Sequence, residues 1–184
     1  NFLTFRSIKL YTDGALGSRG ARLLEEYSDM PGQYGHETTP VPVIHDISLK
    51  GLQHGFQVCS HAIGDRANRE VLDQYEAAFE QLPEMAGNHR YRIEHAQHIS
   101  AADIPRFGKL GVIPAMQAVH MASDRPWAIE RLGKERIEEG AYVWRKLIDS
   151  GAIIVNGTDA PVEPIAPLAS FYASVARKTL KGEP

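Results

Sequence analysis

Apolar and polar positions along this chain fall into short blocks that switch between two periods. Residues 7–11, 56–60, 91–94, 112–116 and 153–156 are brief, half-apolar runs that predict strands. Stretches of helical spacing lie between them. In the clearest, Val71, Leu72, Tyr75, Ala78, Phe79 and Leu82 follow Ala67 at 4, 5, 8, 11, 12 and 15 positions, which is one face of a 3.6-residue repeat. Asp65 stands where an N-cap belongs, and Pro83 ends the pattern. Further helices are predicted over residues 43–53 (stopped at Gly55), 101–110 (closed by Gly111), 141–150 (closed by Gly151) and 168–177. Residues 15–42 are polar and rich in glycine and proline, a length that belongs to functional lids and binding loops. Residues 117–140 read as a polar connection.

Strands that alternate with helices predict a parallel α/β sheet. None of the strands runs through a G-x-G-x-x-G turn into its helix, so nothing favours a doubly wound nucleotide-binding sheet. Five strand–helix units fill the 184 residues. A complete eightfold barrel needs about 250. The predicted fold is therefore of the (β/α)8 TIM-barrel type, present as a partial barrel of about five βα units.

Composition narrows the chemistry. Apolar residues are 43% and charged residues 23%, which excludes a disordered or fibrous chain. A net charge of −3 carries no nucleic-acid footprint. No apolar run approaches the ~20 residues of a membrane span. The opening residues lack the basic and apolar regions of a secretory signal, so a cytoplasmic protein is expected. The lone cysteine, Cys59, allows no internal disulfide and no thiolate cluster, which leaves any metal to nitrogen and oxygen ligands.

Such ligands stand at the strand ends. The second strand runs into His61, the third into His95 and the fifth into Asp159, while the first carries Lys9 and closes with Asp13. In parallel α/β folds the carboxyl ends of the strands form the active-site face, where side chains remote in sequence converge. His61 and His95 are 34 residues apart, one βα unit; His95 and Asp159 are 64 apart, two units. Two imidazoles, a carboxylate and a lysine expected to be buried form a set suited to zinc and similar divalent ions. His36, His45, His54 and His89 read as surface residues.

The blocks Lys9-(Leu-Tyr-Thr)-Asp13-Gly14-Ala15-Leu16-Gly17-Ser18-Arg19, His61-Ala62-Ile63-Gly64-Asp65, Arg92-Ile93-Glu94-His95-Ala96-Gln97 and Gly157-Thr158-Asp159-Ala160-Pro161 occur in this order. Together they resemble the amidohydrolase superfamily, in particular its family 3 branch, which includes N-substituted formamide deformylases. The resemblance implies a metal-dependent hydrolase of carbon–nitrogen, amide-like bonds holding one or two divalent ions, zinc foremost. Lys9 would be the lysine that bridges two metals as a carbamate, His61 and His95 histidine ligands, and Asp159 both a ligand and the proton acceptor. The family's first metal element, a His-x-His pair, is missing from these residues. By resemblance, residues 1–184 are thus the C-terminal portion of the barrel, strands four to eight of a parent whose early strands and sandwich domain lie outside the chain. Asp65, Arg66, His98, Gln117 and His120 are candidates for contact with a small-molecule substrate. No nucleic-acid or membrane partner is expected, and unpaired sheet edges predict a homo-oligomer. Alternative readings are a barrel isomerase or lyase on the same site, and a fragment without catalysis.

Overall fold

A computed structural model describes residues 2–179, 181 and 182. In chain order its elements are β1 (Ser7–Tyr11), α1 (Val41–His54), β2 (Gln57–Ala62), α2 (Asp65–Gln81), β3 (Arg92–His95), α3 (Ile104–Leu110), β4 (Ile113–Met116), α4 (Ala118–Gly140), α5 (Trp144–Asp149), β5 (Val155–Asn156) and α6 (Pro167–Ala176). The strands form one sheet in the order β1-β2-β3-β4-β5, each paired parallel to the next. Strand order equal to chain order, with helical crossovers, is the arrangement of a barrel wall.

The register assigns the two faces. Lys9 lies opposite Cys59, Cys59 opposite Arg92, and Arg92 opposite Ile113, so these side chains share one face with Tyr11, His61 and Glu94. Val58, Ser60 and Ile93 face the other way and are fully buried. The helix α2 packs there, burying Ala67, Val71, Leu72, Tyr75, Ala78 and Phe79 as its spacing predicts. Each large side chain of that stripe contributes about 1.5–3 kcal/mol by leaving water. The Tyr75 hydroxyl adds direction, lying 2.8 Å from Ser60 Oγ and 3.1 Å from the Arg92 carbonyl, which ties α2 to two strands.

Three expectations are corrected. The connection at 117–140 is largely helix α4, held with Pro126 inside it and kinked at Gly133, whose φ of 76° is left-handed. Asp65 is not the N-cap of α2 but its first residue; Gly64 occupies the cap with extended backbone. His89 is no surface residue: its ring stacks on Phe79 at a centroid distance of 4.0 Å.

The long segment between β1 and α1 is folded upon itself. Leu16, Ala21, Leu23 and Tyr27 are buried in it, and the Tyr27 hydroxyl donates to the Ala21 carbonyl at 2.8 Å. Arg19 makes a two-pronged pair with Asp29, at 3.0 and 2.8 Å. Arg22 bridges Glu37 and Glu70, which fastens the segment to α2.

Candidate metal centre

Asp13 organises the carboxyl end of the sheet. It is buried where β1 ends, and its carboxylate accepts the amide N–H groups of Arg22 (2.8 Å), Ile63 (3.0 Å) and Gly64 (2.9 Å). Burial pushes its carboxyl up to about 7 against the pull of those three amides. His61, closing β2, stands over the same face with Nε2 3.4 Å from Asp13 Oδ1.

His95 reaches this place by breaking strand geometry. Alternation along β3 would set it opposite to Glu94, on the side where Ala62 is buried. Instead His95 and Ala96 both take left-handed backbone, with φ of 74° and 43°. Its ring ends 4.5 Å from that of His61, edge on, and 5.9 Å from that of His120. Asp159 is left-handed as well, with φ 57°. Non-glycine residues in this conformation cost of order 1–3 kcal/mol each and cluster where function demands the geometry.

One ligand atom from each of His95, His120 and Asp159 lies within 4.8 Å of the others. His120 Nε2 is 3.2 Å from Asp159 Oδ2, and its Nδ1 is 3.5 Å from Glu163 Oε1. Burial, with the charges of His95 and Lys9, pushes the His61 imidazole down to about 3. Burial likewise takes His95 down to about 4. Both rings are therefore neutral near pH 7 and offer a bare lone pair. His61 Nε2 and His95 Nδ1 are buried without a hydrogen-bond partner among the described residues. Donor atoms around a single zinc ion sit roughly 3–3.5 Å apart, so a small inward closure of this set would suit such an ion. The residues fit a divalent metal.

The group opens into a cavity of about 400 Å³ lined by His61, His95, His120 and Asp159, with Lys9 on one wall. Lys9 is exposed rather than buried, because no element covers β1 on that side among the described residues. Its ammonium lies 4.8 Å over the Tyr11 ring. Gln117 stands at the head of α4, donating to the Ala115 carbonyl at 2.9 Å and touching His95. Asp65 and His98 do not line this cavity. They face each other at 3.5 Å beside a separate hollow of about 130 Å³. Arg66 is turned to solvent and pairs with Glu70. Sequence reasoning missed Asp124 and Trp127, which line the main cavity from α4. Their signal was helical spacing from His120, obscured by the proline among them.

The amidohydrolase family model matches residues 1–183, almost the whole chain. This chain belongs to the amidohydrolase family. The putative amidohydrolase YtcJ of Bacillus subtilis is 36% identical over 178 residues, 97% of this chain and 32% of that protein. Protein LONG AFTER FAR-RED 3 of Arabidopsis thaliana is 35% identical over 176 residues, 96% of this chain and 30% of that protein. The N-substituted formamide deformylase of Arthrobacter pascens is 25% identical over 142 residues, 77% of this chain and 26% of that protein. Among solved structures, an uncharacterized metal-dependent hydrolase from Pyrococcus horikoshii superposes with a TM-score of 0.83 at 34% identity, over 96% of this chain and 34% of that one. The amidohydrolase chain described here thus spans about a third of the length of these relatives. Its fold is the α/β fold with a five-stranded parallel sheet found in metal-dependent hydrolases of this family. None of its described helices is long and apolar enough to cross a membrane.

Proposed function

We propose that this chain carries the core of the active site of a hydrolase that cleaves amide-like carbon–nitrogen bonds of small molecules. The observation that carries the reading is the meeting of His95, His120 and Asp159 within 4.8 Å at the carboxyl ends of the strands. Their residue types come from three separate βα units, and the cavity beside them has room for a small substrate. A divalent ion in this set, zinc by its ligand types, would polarise the scissile carbonyl and lower the pKa of a bound water.

The chain's own groups do the rest. His61 and His95, neutral and held by burial, present lone pairs without first losing a proton. Asp159 accepts the proton of the attacking water at its carboxylate and passes it to the leaving nitrogen. His120 Nε2, 3.2 Å from Asp159 Oδ2, orients that carboxylate. Lys9, on the cavity wall with no ion pair among the described residues, is the group that a bridging carbamate would use. On this reading residues 1–184 are the C-terminal part of a barrel. The missing His-x-His pair then comes from the rest of the polypeptide, and the site of the isolated chain is incomplete.

Elemental analysis of the purified chain after zinc loading, beside His95→Ala, tests the reading. Near-stoichiometric zinc that is lost in the variant is the expected result. Equal metal in both would remove His95 from the metal site. Metal in neither is what an incomplete site would give, and the same comparison then moves to the longer polypeptide that carries the His-x-His pair.

A further inference from the structure

The α4 helix brings more to the cavity than His120. Asp124 and Trp127 follow it at four and seven positions, on the same helical face, and all three line the 400 Å³ space. The Asp124 carboxylate is fixed from one side only. Its Oδ2 accepts the Tyr142 hydroxyl at 2.5 Å and the Gln97 side-chain N–H at 2.8 Å. Gln97 and Tyr142 are in turn bound to each other, side chain to side chain at 2.8 Å and main chain to main chain at 2.8 Å. Tyr142 holds a left-handed φ of 53° in doing this, and its carbonyl is clamped by Arg177 at 2.7 Å. A strained residue kept in place by several bonds is a device for aiming a group.

What is aimed is an anion without a counter-ion. Both donors to Asp124 are neutral, Oδ1 accepts no hydrogen bond among the described residues, and no lysine or arginine there pairs with it. Asp159 belongs to the metal set and Glu163 faces His120 Nδ1 at 3.5 Å, which leaves Asp124 as the carboxylate of the cavity wall without a charged partner among the described residues. A fixed carboxylate of this kind favours a cationic ligand over a neutral one of the same shape. Beside Asp124, the Trp127 ring borders the cavity and already has the Arg131 guanidinium 5.8 Å from its centroid, the kind of contact a cation makes with this ring.

We propose that the cavity takes a substrate bearing a protonated amine, and that Asp124, oriented by Tyr142 and Gln97, binds this ammonium beside the Trp127 ring. The inference rests on the hydrolase reading for one thing only, the position of the substrate's reacting end. It adds a class of substrate: amides or related compounds with a cationic amine several bonds from the scissile carbonyl.

Calorimetric titration of the chain near neutral pH with two probes of the same shape, benzylamine and benzyl alcohol, tests it. Benzylamine is expected to bind saturably and about tenfold more tightly than the alcohol. In Asp124→Asn this margin should vanish while binding of the alcohol stays unchanged. Tyr142→Phe keeps the charge but frees the carboxylate, and should shrink the margin to about threefold. Equal affinities in the unaltered chain, no saturable binding of benzylamine, or a margin that survives Asp124→Asn would each overturn the proposal. The comparison in the unaltered chain decides even if a variant fails to fold. No metal or turnover enters the measurement, so zinc uptake that survives His95→Ala, beside an intact preference for the amine, would sink the metal reading and leave this one standing.

Discussion

Asp13 Oδ1 stands 3.4 Å from His61 Nε2, so the end of the first strand sets the ring that closes the second. The same carboxylate receives three main-chain amides, from the long segment after β1 and from the turn after β2. It is the knot between two successive βα units. Asp13→Ala leaves those amides without an acceptor in a buried place, and unpaired buried donors cost about 1–3 kcal/mol each. A loss of about 3 kcal/mol or more in urea unfolding is expected. An unchanged midpoint would show that water or relaxation replaces the carboxylate freely.

Gly64 is needed for what passes beside it. The Arg22 carbonyl caps α2 by accepting the N–H groups of Arg66 and Ala67, at 3.1 and 3.2 Å. A Cβ on residue 64 would come within 2.0 Å of that carbonyl oxygen. Gly64→Ala should push the cap away, costing about 1–3 kcal/mol. Amide exchange over residues 15–40 should speed up while β3 and β4 stay protected. Uniform loss of protection would mean that the segment and the sheet unfold as one.

Asn68 holds three carbonyls with one amide group. Its Nδ2 lies 3.1 Å from the Ala62 oxygen, 2.9 Å from that of Gly64 and 3.1 Å from that of His98. Asn68→Asp has the same shape but turns acceptor against acceptor. It is expected to destabilise the fold by about 3 kcal/mol. The defect should deepen as pH rises and the new carboxyl ionises. Equal melting temperatures for the two proteins near neutral pH would contradict this account.

His89 supplies a pH dependence well away from the metal centre. Its Nδ1 accepts the Tyr91 amide at 2.8 Å, and Nε2 lies 3.0 Å from the Leu110 carbonyl, so the neutral Nε2–H form fits. Burial holds its pKa below the ordinary 6.5. The unfolded chain then binds the extra proton first. The residue's contribution is complete above 6.5 and fades as pH falls through the folded value. The stability difference between the parent and His89→Gln should be constant from about pH 7 to 8 and shrink below about pH 6.5. A difference that grows on acidification would reverse the sign and sink the assignment.

How much of this could be read from the sequence differed by element. The α2 stripe was legible because seven apolar positions keep one helical face over more than four turns. The ends of β2 and β3 were legible because a histidine after a short apolar run is chemically conspicuous. Helix α4 was hidden by Pro126, Gly133 and a polar run, three local signals that tertiary packing overrode. With it went the common face of His120, Asp124 and Trp127. Strand alternation could not show that His95 turns through two left-handed residues to meet His61, since that depends on backbone torsion. Lys9 was read as buried, but its exposure depends on what covers β1, which spacing cannot reveal.

The break at Gly133 gives α4 a further significance. His120, Asp124 and Trp127 share the stretch of helix ahead of it, and the residues beyond lead on to α5. A small rotation at this joint would carry all three side chains together, like teeth on one key. Selection acting on a residue far from the reacting atoms could in this way recut the pocket for a new amine while the imidazoles on the sheet stay where they are.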